Sequence, residues 1–208
     1  MTTRLIIGVS GATGIVYAQR LLETLCETDV ETHLVVTKAA EMTAAYEGVP
    51  VQELKRLADE TYPIGDVGAA IASGSFKTIG MIVAPCSMRS LAEIATGTTT
   101  NLLTRAADVC LKERRRLVLM TRETPLHAGH LKAMLAVTDN GGIIAPPVPA
   151  FYTKPTTLGD LVDHTVGRVL DLFDIDTPLV TRWTGEPPRH GHPAVVSLPR
   201  KVGRDALR

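Results

Sequence analysis

Three short stretches concentrate the residues able to handle a charged ligand. Gly8-Val9-Ser10-Gly11-Ala12-Thr13-Gly14 combines glycines, through which a backbone can approach a bound molecule, with the hydroxyls of Ser10 and Thr13. Read as the turn from a strand into a helix, it offers free N–H groups suited to a phosphate; read without a ligand, it is a tight turn. Ala84-Pro85-Cys86-Ser87-Met88-Arg89-Ser90 repeats the theme, with hydroxyls and a guanidinium ahead of a second helix. Two such loops suggest a mononucleotide whose phosphate and ring are gripped separately. Arg122-Glu123 adds a cation and a carboxyl group after another apolar run. The glycine loop matches neither the GxGxxG dinucleotide pattern nor a GxxxxGK[ST] phosphate loop, which argues against NAD and ATP.

Other reactive types carry less. Cys86 has no adjacent base in sequence, so a packed small residue is expected rather than a catalytic thiol. His127 and His130 are one helical turn apart, but no carboxylate or thiol cluster completes a metal site, and capping or a structural hydrogen bond is expected. Arg114, Arg115 and Arg116 read as a solvated basic turn. Pro146 to Tyr152 is stiff and extended, either a rigid wall for a small apolar ligand or a simple connector.

The elements that position these loops follow from hydrophobic patterning. Strands are expected at Leu5–Val9, Thr32–Thr37, Met81–Ala84 (closed by Pro85), Leu117–Met120 and Gly142–Ala145. Helices are expected at Ile15–Cys26, Lys38–Tyr46, Val51–Asp59, Met88–Ala95, Leu102–Glu113, around Leu131–Val137, and Leu158–Phe173. Short apolar runs without alternation suit strands covered on both faces, hence a doubly wound α/β fold with a parallel sheet and a ligand at the carboxyl ends of its strands. One domain is expected over residues 1–174, with 175–208 a C-terminal extension. Trp183 pins the start of that tail, and the stretch from Glu186, with His190 and His192, is expected to be mobile and solvated.

Composition narrows the class. Lysine plus arginine equals aspartate plus glutamate at 22 each, and aromatics are 4%, which excludes a basic or base-stacking nucleic-acid surface. No apolar run is long enough to span a membrane, and the start of the chain has no cleavage-site pattern. Three scattered cysteines form no disulfide framework or zinc pattern, and a reducing cytoplasm is the expected compartment.

Taken in order, the motifs resemble the UbiX family of flavin prenyltransferases. The resemblance is carried by the GxSGATG loop, Ser73-Gly74-Ser75, Pro85-Cys86-Ser87-Met88, Asn101 to Val109, Leu111 to Arg115, Arg122 to Leu126 and Pro146 to Tyr152, across roughly residues 4–183. It implies a flavodoxin-like, Rossmann-like fold, commonly dodecameric, binding FMN and no metal. The implied activity moves a dimethylallyl group from dimethylallyl phosphate to N5 and C6 of reduced FMN, for use by a UbiD-type decarboxylase. A flavin-binding accessory subunit of an aromatic acid decarboxylase and an FMN-dependent cysteine decarboxylase are the alternatives. The substrate segment of the latter, PxMNxxMW, is absent from the sequence.

Residue by residue, the resemblance assigns the flavin to Gly11, Ala12, Thr13, Thr37, Ser87, Met88, Arg89, Ser90 and Arg122. Glu47 matches an acidic residue tied to proton handling near the flavin. Lys112, Arg122, Glu123, Tyr152 and Arg168 match the group around the prenyl phosphate, with Arg105 a further arginine of the site and Trp183 closing over it. Glu47, Lys112, Glu123 and Tyr152 are the implied catalytic residues, some of them contributed by neighbouring subunits. Thr13 and Thr37 stand where serines are common in the family, and the tail after Trp183 is longer than the family pattern.

Overall fold

The computed structural model describes residues 2–183 and 185. Its framework is a six-stranded, wholly parallel sheet of strands β1 (Thr3–Val9), β2 (Val30–Val36), β3 (Glu60–Tyr62), β4 (Gly80–Cys86), β5 (Arg116–Thr121) and β6 (Ile143–Ile144). The strand order is β3-β2-β1-β4-β5-β6, so the chain reverses direction across the sheet between β1 and β4. This is the flavodoxin-like arrangement, with a crevice where neighbouring strands feed loops to opposite sides.

Alternation within each apolar run builds two cores. Leu5, Ile7 and Val9 of β1, Ile82 and Ala84 of β4, and Val118 and Met120 of β5 face one layer, together with α1 (Ile15–Leu25) and α7 (Leu158–Asp171). Ile6, Met81, Val83, Leu117 and Leu119 face the other, against α5 (Leu102–Lys112). Each fully buried leucine or isoleucine removed from water contributes about 1.5–3 kcal/mol, which fixes the register of these strands.

Helix starts are set by short polar side chains. Thr37 caps α2 (Lys38–Glu47) by accepting from the Ala40 N–H at 3.1 Å, and Ser87 caps α4 (Met88–Thr96) through the Ser90 N–H at 3.3 Å. Asn101 and Thr157 form capping boxes at α5 and α7. His127 caps α6 (Ala128–Asp139), its Nδ1 accepting from Gly129 N–H at 3.0 Å and His130 N–H at 3.4 Å, as the capping expectation had it. A short α3 (Val51–Leu57) leads to the sheet edge.

Three expectations are corrected. The sheet has six strands rather than five, because Glu60-Thr61-Tyr62 pairs with His33–Val35 through its backbone and carries no apolar run to announce it. β4 continues through Pro85 to Cys86, past the point where proline was expected to end it. The register shifts between Val83 and Cys86, and Pro85, lacking an N–H, still uses its carbonyl to accept from Ser10 N–H at 3.2 Å. The basic turn is only partly solvated: Arg115 donates to the carbonyls of Gly74 and of Phe76 (2.7 Å), and Arg116 pairs with Asp174 at 3.5 Å. The expected mobility of the tail from Glu186 lies outside the described residues.

Candidate functional site

The loops after β1, β2, β4 and β5 all emerge at the carboxyl edge of the sheet and are tied to one another. Ser10 donates through Oγ to Pro85 O (3.0 Å) and accepts there from Ser87 N–H (2.7 Å), clasping the β1 and β4 loops. Thr37 N–H reaches Val9 O at 3.0 Å, and Arg122 N–H reaches Cys86 O at 3.1 Å. A methyl group on Gly11 would come within 2.4 Å of the Ala39 Cβ, so the glycine loop lies directly on the first turn of α2. Gly11, Ala12, Thr13, Thr37, Ser87, Met88, Ser90 and Arg122 are thereby gathered around the switch point.

The anion-binding logic differs from the sequence expectation at one place. The N–H groups of Gly14 and Ile15, at the start of α1, are taken by Glu47, whose two carboxylate oxygens accept at 2.8 and 2.9 Å. That end of α1 already holds its negative charge, and Ser10 is spent on the clasp. The first N–H groups of α2 (Lys38, Ala39) and α4 (Met88, Arg89) have no acceptor one turn back, because a helix leaves its first donors unpaired. With the hydroxyls of Thr37 and Ser90 beside them, these two N-termini leave unpaired donors and a positive helix end at the crevice, where an anion could be received. Arg89 leans along α4 to pair with Glu93 at 2.9 Å and is largely exposed.

Cys86 is fully buried, and burial pushes its thiol up to about 12. Its burial and raised thiol fit the packed small residue expected from the sequence. Among the described residues no group of three or more His, Cys, Asp or Glu side chains is placed to hold a metal ion. No described helix is long and apolar enough to cross a membrane.

Comparison with known proteins agrees with this geometry. Residues 1–170 match the Flavoprotein family. Flavin prenyltransferase UbiX of Neisseria meningitidis serogroup B is 59% identical over 186 residues, covering 89% of this chain and 98% of the relative. The chain belongs to the UbiX flavin prenyltransferase family. Among solved structures, AnUbiX (PadA1) in complex with FMN and dimethylallyl pyrophosphate aligns with a TM-score of 0.88 at 49% identity, over 90% of this chain and all of that one. A dodecameric FMN-dependent Ubix-like decarboxylase from Escherichia coli O157:H7 aligns with a TM-score of 0.86 at 48% identity, over 88% of this chain and all of that one.

For a UbiX-family protein the leftover donors suit FMN. Two helix N-termini with unpaired N–H groups and flanking hydroxyls can take a phosphate, and Ala12 and Met88 offer apolar surface to a ring.

The residues matched to the prenyl phosphate fall into three separate places in one chain. Arg122 and Glu123 follow β5 at the carboxyl edge, both exposed, with Glu123 folded back to accept from Thr124 N–H at 3.0 Å. Lys112 ends α5 just before β5 begins at Arg116, so it lies at the opposite edge of the sheet, paired with Glu113. Six residues of strand rising about 3.3 Å each, roughly 20 Å, separate those two edges. Arg105, in the first turns of α5, is held by Asp108 (2.7 Å) and Ala72 O (3.3 Å).

Tyr152, Arg168 and Trp183 form the third group, around α7. The Tyr152 ring meets Trp183 edge to face at 5.6 Å, and its hydroxyl is 3.3 Å from His164 Nε2. Arg168, one helical turn beyond His164, is paired with Asp171 at 2.6 Å. Pro146 to Tyr152 starts where Ala145 N–H binds Leu119 O, so it leaves the same carboxyl edge. His164 was not singled out from the sequence. The signal available was its spacing of four residues from Arg168, which puts both on one face of a helix.

Proposed function

We propose that this chain is a flavin prenyltransferase that moves the dimethylallyl group of dimethylallyl phosphate to reduced FMN, in the cytoplasm, for a UbiD-type decarboxylase. The observation that carries the reading is 59% identity, over nearly the whole folded part, to a protein named for that activity. A structure 49% identical to this chain holds FMN and the dimethylallyl pyrophosphate form of the donor together, which supports one site for both.

Gly11, Ala12, Thr13, Thr37, Ser87, Met88, Arg89, Ser90 and Arg122 hold the mononucleotide in this reading. Reduced FMN, when bound, would supply the electron-rich ring that accepts the prenyl group through two of its carbons, at N5 and at C6. Lys112, Arg105, Arg122 and Arg168 counter the phosphate charge that grows as the allylic C–O bond breaks, its electron pair leaving with oxygen. Glu123 gives its proton to that departing oxygen, and Tyr152 donates its O–H to the phosphate. Trp183 faces the allylic cation with a π surface and keeps water away. Glu47 takes up on its carboxylate the proton released as the product forms.

A dodecamer is proposed for this chain as well, following the dodecameric relative at 48% identity. Assembly gives the separated groups a way to meet, with Lys112 of one subunit completing the site of another. Residues 1–174 are proposed as the catalytic domain, with Trp183, in the extension after it, as part of the site.

The test is mass spectrometry of FMN after anaerobic incubation with dithionite, purified protein and either dimethylallyl phosphate or dimethylallyl pyrophosphate. A product heavier by one five-carbon prenyl unit, formed over many turnovers, is expected. Bound but unmodified FMN with both donors would favour an accessory or decarboxylase role instead.

A further inference from the structure

The Tyr152 ring touches two aromatic groups: Trp183, already placed at the site, and His164, to which the activity gives no role. His164 lies within α7 and is 7% exposed, with its Nε2 3.3 Å from the Tyr152 hydroxyl and its ring edge to face with the phenol at 5.6 Å. Trp183 makes an edge-to-face contact with the same phenol ring, also at 5.6 Å. We propose that His164 is a positioning residue of the prenyl-donor site, its Nε2–H donating to the Tyr152 oxygen so that the phenol's own proton is free for the donor's phosphate.

The tautomer follows from what each ring nitrogen can reach. Burial, then the charge of Arg168, lowers the imidazole's tendency to protonate, with Asp171 opposing them, which favours the neutral ring with a single proton. Nδ1 is buried with no partner. A proton there would be an orphaned donor, the more costly kind, whereas an unused lone pair is tolerated more readily. The proton therefore belongs on Nε2. Were Nε2 instead the acceptor, the single phenolic proton would be spent inside the protein, and Tyr152 would face the phosphate with lone pairs only. Arg168, four residues along the same helix face, brings its cation to the same neighbourhood.

The inference rests on the reading of Tyr152 as a ligand of the prenyl phosphate, and the test separates the two. Steady-state kinetics at saturating reduced FMN are compared for His164→Leu, which keeps bulk but no donor, His164→Gln, whose amide N–H stands near Nε2, Tyr152→Phe, and the His164→Leu/Tyr152→Phe pair. One lost hydrogen bond of ordinary strength predicts a KM for dimethylallyl phosphate raised roughly 3- to 10-fold in His164→Leu, with FMN affinity unchanged. His164→Gln should recover most of that loss. In the Tyr152→Phe background the Leu substitution should add nothing. An undiminished effect in that background, no rescue by Gln, or no effect of Leu while Tyr152→Phe raises KM would each overturn the role of His164. A Tyr152→Phe variant with unchanged KM would instead sink the reading of Tyr152, and the proposal with it. Should His164→Leu fail to fold, His164→Gln and His164→Asn decide, since Asn places its amide near Nδ1 and should not rescue.

Discussion

Removing the Glu47 carboxylate should destabilise the protein through a helix start, independently of any part it takes in chemistry. Its two oxygens accept from Gly14 and Ile15 N–H at 2.8 and 2.9 Å, across 32 or 33 residues of sequence. A hydrogen bond to a charged group contributes about 1.5–3 kcal/mol, and the positive end of a helix adds about 0.3–1 kcal/mol. Two such bonds at the low end give about 3 kcal/mol, and because Glu47 is only half-buried, solvent screening lowers the expected cost of Glu47→Ala to about 2–3 kcal/mol. With a urea dependence of about 2–3 kcal/mol per molar for a chain of this size, the unfolding midpoint should fall by about 1 M. Glu47→Gln keeps one acceptor without the charge and should lose about half as much. Urea denaturation at pH 7, with FMN present and absent, measures both. A Glu47→Ala midpoint unchanged within about 0.2 M would refute the anchoring of α1, as would a Gln variant weaker than Ala.

Mixing Lys112→Ala and Glu123→Gln subunits, each much slowed on its own, by unfolding and refolding together should raise activity to about a quarter of wild type. Random assembly leaves that fraction of sites with both native groups only if they come from different chains, and no recovery would mean that one chain supplies both. Glu123→Gln alone should slow prenyl transfer while FMN affinity, read by fluorescence titration, stays near wild type. Iodoacetamide on the native protein should modify Cys26 and spare Cys86 and Cys110, which are buried with thiols pushed up to about 12; peptide mass mapping reads the result, and alkylation of native Cys86 would contradict the packing. Asp160 accepts from Thr156 and Thr157 N–H groups, which hold its carboxyl at about 2, so its stabilisation is complete above its ordinary value near 3.8 and fades as pH falls toward 2. The difference in urea midpoint between wild type and Asp160→Ala should accordingly shrink between pH 5 and pH 2.5, and a gap that widened there would reverse the assignment.

The parallel core and the loops at its edge are legible in the residue pattern alone. Leu5–Val9, Met81–Ala84 and Leu117–Met120 are apolar on both faces, and only a strand sandwiched between helices uses such runs without exposing them. Caps at Thr37, Ser87, Asn101 and Thr157 were written in residue types whose oxygens reach the first-turn N–H groups. The edge strand Glu60–Tyr62 was hidden because its place depends on backbone pairing with β2 rather than on a buried side-chain pattern.

Which acceptor takes which donor is set by the folded arrangement. Glu47 and Gly14 meet across two helices and a strand, so no local pattern could show that the α1 N-terminus is already filled. Ser10 looked like a ligand hydroxyl and is consumed by Pro85 and Ser87. Lys112 and Glu123 stand eleven positions apart in sequence, yet a strand lies between them and puts them at opposite edges of the sheet. Hydrophobic period is a local property and survives in one dimension. The satisfaction of polar groups is a pairwise contest among distant residues, and only the folded chain settles it.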